Sequence, residues 1–319
     1  TTGEHAAVSG SVLDNDLAPD LVAAVDLVSG PAQGALTFNP DGTFTYDPGN
    51  AFDGLGDGET AVETFTYRVT DADGDVDEGL VTITVTGTND GPVAAADVVG
   101  NALEDTPLTI PAADLLANDT DADVNDVLTI GAVGDPVGGT VALDGNGDVV
   151  FTPAADYSGA ASFTYTAVDV AGAQSTATVT FEIDAVADQP TLTVQDVTGQ
   201  AGQPVTLDIA SALTDTDGSE ILGLTVSGLP AGTLLSAGTA NTDGSFSLTA
   251  GDLAGLTATL PSGAQGDIDV TVTATATEQS NSASASVAAA FVLTLPSGNA
   301  APTDIALDAD PVPENETGW

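Results

Sequence analysis

Every compact fold open to this chain must gather 48 carboxylate side chains around a single guanidinium, Arg68, and a single imidazole, His5, for a formal net charge of −47. A charge of that size repels itself in any compact state unless cations bind, so stability is expected to depend on divalent ions. The chain is nonetheless a folding sequence. Its hydrophobic residues, 42% of the total, fall in alternating runs that can bury a core, unlike the apolar-poor composition of a disordered segment. Nucleic acid and anionic lipid are disfavoured as partners, because neutralising phosphates takes Lys and Arg. No apolar run approaches the ~20 residues of a membrane span, so no direct membrane insertion is expected of this stretch.

The densest acidic run is Asn118 to Asp126, NDTDADVND. Asp and Asn alternating with small residues favour turns by hydrogen-bonding nearby backbone, which makes a loop rich in hard oxygen ligands. Ca²⁺ is the natural occupant, since it takes six to eight oxygens at flexible geometry; a merely solvated acidic loop is the plainer alternative. Absence of Cys removes any disulfide framework. Millimolar Ca²⁺ outside cells fills weak acidic sites that cytosolic Ca²⁺ does not, and this favours an extracellular chain.

Three Pro-containing linkers, GTNDGPVA at Gly87, AVADQPTL at Ala185 and PSGNAAPT at Pro296, repeat at roughly the length of a sandwich domain. Between them the same pieces recur. GALTFNPDGTFTY from Gly34 and GTVALDGNGDVVF from Gly139 read as hairpins turning at Gly. ETFTYRVTDADG from Glu63 and ASFTYTAVDVAG from Ala161 read as strands ending in an acidic turn, each followed by another alternating strand. Period-two alternation with short turns and no helical stripe predicts all-β, tandem antiparallel β-sandwiches in a linear array. The expected bounds are 1–90, a sandwich lacking most of its first strand; 91–188; a looser 189–298; and 299–319, the first strand of a further repeat. A window cut from a longer array accounts for those ends. The other reading is a protomer whose last strand completes the first domain of another copy.

These motifs resemble the cadherin-like and VCBS tandem repeats of giant bacterial repeats-in-toxin (RTX) surface adhesins. The resemblance implies Ca²⁺ at each junction between neighbouring repeats. First-strand Glu residues match Glu4, Glu104 and Glu314, and middle-loop acids match Asp53 and Asp156. Linker ligands match Asn89, Asp90, Asp184 and Asp188, paired-Asp loops match Asp121 with Asp123 and Asp215 with Asp217, and the acid closing the FTY strand matches Asp71 and Asp169, with Glu278 a weaker counterpart. The first junction would then gather Glu4, Asp53, Asn89, Asp90, Asp121, Asp123 and Asp169, and the second Glu104, Asp156, Asp184, Asp188, Asp215 and Asp217. Asp71 and Asp73, with Asp16 and Asp20, would face a preceding domain. Gln203 stands where the third repeat should carry its Glu, and Pro261 to Gln265 holds no acid, so a third junction at Asn299 is expected to bind Ca²⁺ weakly or not at all, and to bend.

From the resemblance the expected role is a calcium-rigidified extender at the bacterial cell surface, exported by type I secretion, projecting a tip for adhesion or biofilm formation. The alternative is a self-associating filament or matrix protein assembled by strand exchange between copies. An enzyme is not expected: a nucleophilic triad needs a base, and His5, beside Glu4, is the sole imidazole. Arg68 alternates with Tyr67 and Val69 and is expected on the sheet surface, paired with a nearby acid.

Overall fold

The computed structural model describes residues 1–15 and 21–296, and Asp16, Asp20, Asn299, Glu314 and the expected strand at 299–319 lie outside that range. The chain divides into two compact units, Thr1–Asp184 and Ala185–Trp319. Unit 1 holds two hydrophobic clusters and unit 2 holds one.

In unit 1 the first sandwich runs β1 (Thr2–Gly3), β2 (Val8–Ser11), β3 (Val22–Ser29), β4 (Ala35–Phe38), β5 (Thr43–Asp47), β6 (Thr60–Asp71) and β7 (Val76–Thr86). One sheet is ordered β1-β7-β6-β3 and faces the sheet β2-β5-β4. Phe65 sits between Phe38 and Phe44 in edge-on contacts, and Tyr46 and Val85 are fully buried. These are the alternate positions of each strand, so the period-two pattern is read out as a two-layer core. Arg68 projects outward and meets Glu78 at 2.6 Å.

The second sandwich runs β8 (Asp97–Val98), β9 (Ala102–Leu103), β10 (Leu108–Ile110), a single helical turn α1 (Ala112–Leu115), β11 (Thr129–Val137), β12 (Gly139–Leu143), β13 (Val149–Pro153), β14 (Gly159–Val168) and β15 (Gln174–Asp184). Its sheets are β11-β14-β15-β8, with β9 also on β15, and β10-β13-β12. Phe151, Phe163 and Phe181 pack ring against ring in the core. Helical structure was not expected. It forms after Pro111, whose fixed φ suits a helix start, where the Asp148 carboxylate accepts the Ala112 N–H at 3.0 Å and Leu115 is fully buried.

Unit 2 comprises β16 (Thr191–Val194), β17 (Val197–Thr198), β18 (Pro204–Thr206), β19 (Ile209–Ala212), β20 (Glu220–Ser227), β21 (Leu234–Leu235), β22 (Thr239–Ala240), β23 (Phe246–Thr249), β24 (Thr257–Thr259), β25 (Gly266–Glu278) and β26 (Ser284–Leu295). A long sheet β17-β26-β25-β20-β23-β22 covers the sheet β18-β24-β21 over a mainly aliphatic core of Leu224, Val226, Leu256, Leu260, Val270, Val272 and Leu293.

Four short pairings depart from a purely antiparallel scheme. β1 runs parallel to β7, β8 and β9 to β15, and β17 to β26. In each sandwich the entering and leaving strands thus point the same way, so the chain enters at one end and leaves at the other. That arrangement delivers Glu4 and Glu104 to the exit ends of β7 and β15, where their backbone N–H groups bond Thr86 O and Asp184 O.

Candidate metal centre

The acidic loop of the second sandwich is built from its helical turn. After α1 a 3₁₀ turn, Leu116–Asn118, leads to Asp119, whose carboxylate accepts the Ala95 N–H at 2.8 Å and the Tyr165 hydroxyl at 2.9 Å. Asp119 is therefore spent on the fold. Thr120 bonds in both directions with Val93, directly after linker residue Pro92. Asp121 Oδ1 then accepts the Asp123 N–H at 3.0 Å, an Asx turn that folds the loop back on the linker, and Asp123 Oδ2 accepts the Asp90 N–H at 3.0 Å.

Around that loop unit 1 brings together the residues expected at the first junction. Asp121, Asp126 and Asp169 each place a carboxylate oxygen within 4.8 Å of the other two. Asp169 Oδ1 accepts the Gly172 and Ala173 N–H groups and its Oδ2 accepts from Asn89 Nδ2 at 2.9 Å. The Asn89 bond, ahead of the backbone bonds and against some burial, holds the Asp169 pKa below its ordinary value. Asp123 moves the other way: burial pushes its pKa up, and the charges of Asp121, Asp90 and Asp126 add to that against the Asp90 backbone bond.

A second group lies on the first-sandwich side. Glu4 is buried, and its Oε1 accepts the Thr88 N–H at 2.7 Å, tying the end of β1 to the residue before Asn89. His5, half exposed, sits 3.6 Å from Glu4 Oε1 and 3.4 Å from Asp53 Oδ1. Sequence reasoning placed His5 on the surface; it also bridges two of the expected ligands. The loop following Asp53 meets the acidic loop directly, since Gly54 O accepts the Val124 N–H and Glu59 Oε1 accepts from Asn125 Nδ2 at 3.1 Å.

These residues fit a divalent cation by a feature that a solvated loop lacks. Glu4 Oε2, Asp121 Oδ2, Asp123 Oδ1 and Asp126 Oδ2 are inaccessible to solvent and have no hydrogen-bond partner. Buried polar atoms are normally satisfied, and unpaired buried carboxylate oxygens carry a large penalty. The donor set is all hard oxygen, which matches Ca²⁺. Two residues of the set were not singled out from sequence. Asp126 belongs to the same NDTDADVND run, so its signal was there, whereas Glu59 in GDGET has no motif to mark it.

Elsewhere in unit 1, Glu104 is buried at the end of β9, Asn101 Nδ2 donates to Asp184 Oδ1 at 2.9 Å, and the Asp156 N–H donates to Asp105 Oδ1 at 3.4 Å. Asp71 Oδ1 accepts the Asp73 and Asp75 N–H groups, closing the β6–β7 turn, and Asp73 is exposed. In unit 2, Asp215 Oδ1 accepts the Asp217 N–H at 2.8 Å, repeating the Asp121–Asp123 turn. Glu220 Oε1 accepts the Asp188 N–H at 2.7 Å, the part that Asp123 plays for Asp90. Glu220 was missed in sequence, yet it follows Asp215 by the same interval that separates Asp126 from Asp121. Glu220 and Glu278 are directly opposed on β20 and β25, and burial raises both pKa values. Gln203 is exposed in a turn with its N–H on Gln200 O.

Comparison with known proteins gives matches to both sandwiches of unit 1. Residues 88–184 match the model of the cadherin-like domain and residues 1–87 that of the bacterial cadherin-like domain, both non-enzymatic adhesion families. A curated relative, the calcium-binding lectin RapA2 of Rhizobium johnstonii, is 34% identical over 104 residues, which span 27% of this chain and 43% of the lectin. The match therefore spans less than half the length of that relative. Among solved structures, human CDH23 EC21-23 is similar in fold at a TM-score of 0.57 and 17% identity, covering 92% of this chain and 97% of that one. Among the described residues no helix is long and apolar enough to cross a membrane.

Proposed function

We propose, for a chain whose residues 1–87 match the bacterial cadherin-like domain and whose residues 88–184 match the cadherin-like domain, a role as a calcium-rigidified extender segment of a bacterial cell-surface adhesin, holding a binding tip away from the cell. The observation that carries the reading is the set of unpartnered buried oxygens on Glu4, Asp121, Asp123 and Asp126, around the linker that joins the two sandwiches of unit 1. The sandwiches are taken as 1–90, 91–188 and 189–298. In this reading Glu104, Asp156 and Asp184 on unit 1, and Asp188, Asp215 and Asp217 on unit 2, are ligands of further Ca²⁺ ions, as Asp71 and Asp73 are for a preceding repeat. Surface display by type I secretion and a part in biofilm formation belong to the same proposal.

The mechanism is electrostatic. Asp121, Asp126 and Asp169 hold oxygens within 4.8 Å of one another, where like charges repel by about 3–4 kcal/mol per pair at an effective dielectric of about 20. Bound calcium supplies the neutralising charge and shared oxygen coordination. Glu4 fixes the linker through Thr88, Asn89 ties it to Asp169, and Asp90 ties it to Asp123, so the linker has one conformation while those carboxylates are held together. Small-angle scattering of the chain in millimolar calcium and then in excess chelator checks this. Calcium is expected to give a stiffer particle of narrower distance distribution at constant mass; identical curves in the two conditions overturn the reading.

A second reading, in which the segment itself contacts carbohydrate, is favoured by the calcium-binding lectin among its relatives. Binding of polysaccharide to the calcium-loaded chain, lost with chelator while the particle keeps its shape, separates that role from pure extension.

A further inference from the structure

The first sandwich carries an open edge of a kind that the other sandwiches blunt or shorten. β3 is hydrogen-bonded to β6 on one side, and among the described residues no strand lies on the other. Its sequence, VAAVDLVS, has neither Pro nor Gly, and Val25 is its one buried residue. Leu27 and Val28 are 42% and 45% exposed. Its one charge, Asp26, lies in register with Arg68, the chain's only Lys or Arg. Arg68 is itself paired with Glu78, so the strand carries the single charge of Asp26.

An open edge exposes unpaired N–H and C=O groups, and proteins usually blunt it with Pro, charge, bulges or shortness. The corresponding edge of the second sandwich, β11, is blunted by Gly131, Gly134 and the Asp135-Pro136 step, with Asp135 at φ 48°. In unit 2 the long sheet ends in the two-residue β22. β3 has register shifts against β6 near both ends, but Ala24 to Leu27 pair with Thr70 to Tyr67 without interruption.

We propose that the open edge of β3 pairs with β3 of a second copy of this chain, antiparallel across a two-fold axis, joining the two β1-β7-β6-β3 sheets into one. The partner must be an extended strand, because that is what the free backbone groups accept. A second copy is the strand indicated by the sequence: low charge, β-branched and apolar residues and no Pro are the features of segments that pair with themselves. The contact strand brings one carboxylate per copy, Asp26, with Arg68 in register beside it. An isologous contact of this kind closes as a dimer. The inference goes beyond the extender reading and does not depend on any cation.

Sedimentation equilibrium from micromolar to sub-millimolar protein, in physiological salt with calcium, tests it with wild type, Ala24→Lys and Ala24→Glu. Ala24 is exposed, so both variants are expected to keep the wild-type melting curve. Wild type is expected to show a reversible monomer–dimer equilibrium that both variants abolish, with β3 amides exchanging hydrogen more slowly as concentration rises. A wild type that stays monomeric overturns the proposal, as do variants that dimerise like wild type. So does a Lys variant that associates more tightly while the Glu variant weakens, since that pattern marks general charge attraction.

Discussion

Saturating calcium is expected to raise the melting temperature of this chain by about 5–10 °C for each site filled in a cooperative unit the size of unit 1. A ligand at a hundred times its dissociation constant stabilises the folded state by about 2.7 kcal/mol. Each kcal/mol moves the midpoint by about 2–4 °C in a domain of 150–250 residues. The effect arises in the folded state, where Asp121, Asp126 and Asp169 are held together, while the unfolded chain spreads the same charges apart. Magnesium at equal ionic strength is expected to do much less, because it demands octahedral geometry and gives up its waters reluctantly. Calorimetric scans in calcium, magnesium and chelator check the shift. Equal shifts for the two cations would indicate screening of the −47 net charge and no built site.

Replacing Asp123 by Asn is expected to change stability in opposite directions with and without calcium. An amide oxygen still accepts the Asp90 N–H, so the tie to the linker survives, but the buried charge is gone. In chelator the variant is expected to melt higher than wild type; in calcium it is expected to bind at least about 10–100-fold more weakly, the range lost even when only the outer support of a metal ligand is removed. The pH dependence follows from the same residue. Burial raises the Asp123 pKa above its ordinary 3.8, so the folded state holds that proton more tightly than the unfolded chain. Calcium-free stability contributed by this group therefore rises as the pH falls towards that ordinary value. Asp169, whose pKa is lowered mainly by Asn89, contributes stability that is lost as the pH falls further, below its ordinary value. Asp123→Asn is expected to flatten the first limb and leave the second. Unchanged curves would remove Asp123 from the site.

Much of the architecture was legible because β-sandwich strands record burial in alternate residues. Phe65 and Tyr67, like Phe163 and Tyr165, face their cores, and Arg68 between the buried positions faces out to Glu78. The turn chemistry was equally plain: Gly42, Gly147 and Gly244 take positive φ in the hairpin turns. Less legible were features set by contacts distant in sequence. The helical turn after Pro111 needs Asp148 from the β12–β13 turn. Asp119 reads like its neighbours but is taken by Tyr165 and Ala95, while Glu59 and Glu220 are aligned by hydrogen bonds that no local motif announces. The parallel pairing of β1 with β7 spans too few residues to leave a periodic signal.

The most direct test of the cation site is calorimetric titration of calcium into the chelator-stripped chain, alongside a variant with Asp121→Asn and Asp126→Asn together. The wild type is expected to give saturable binding, with one class of sites lost in the variant. A titration that gives no saturable heat up to several millimolar calcium, or that is the same in both proteins, contradicts the assignment of these carboxylates to calcium.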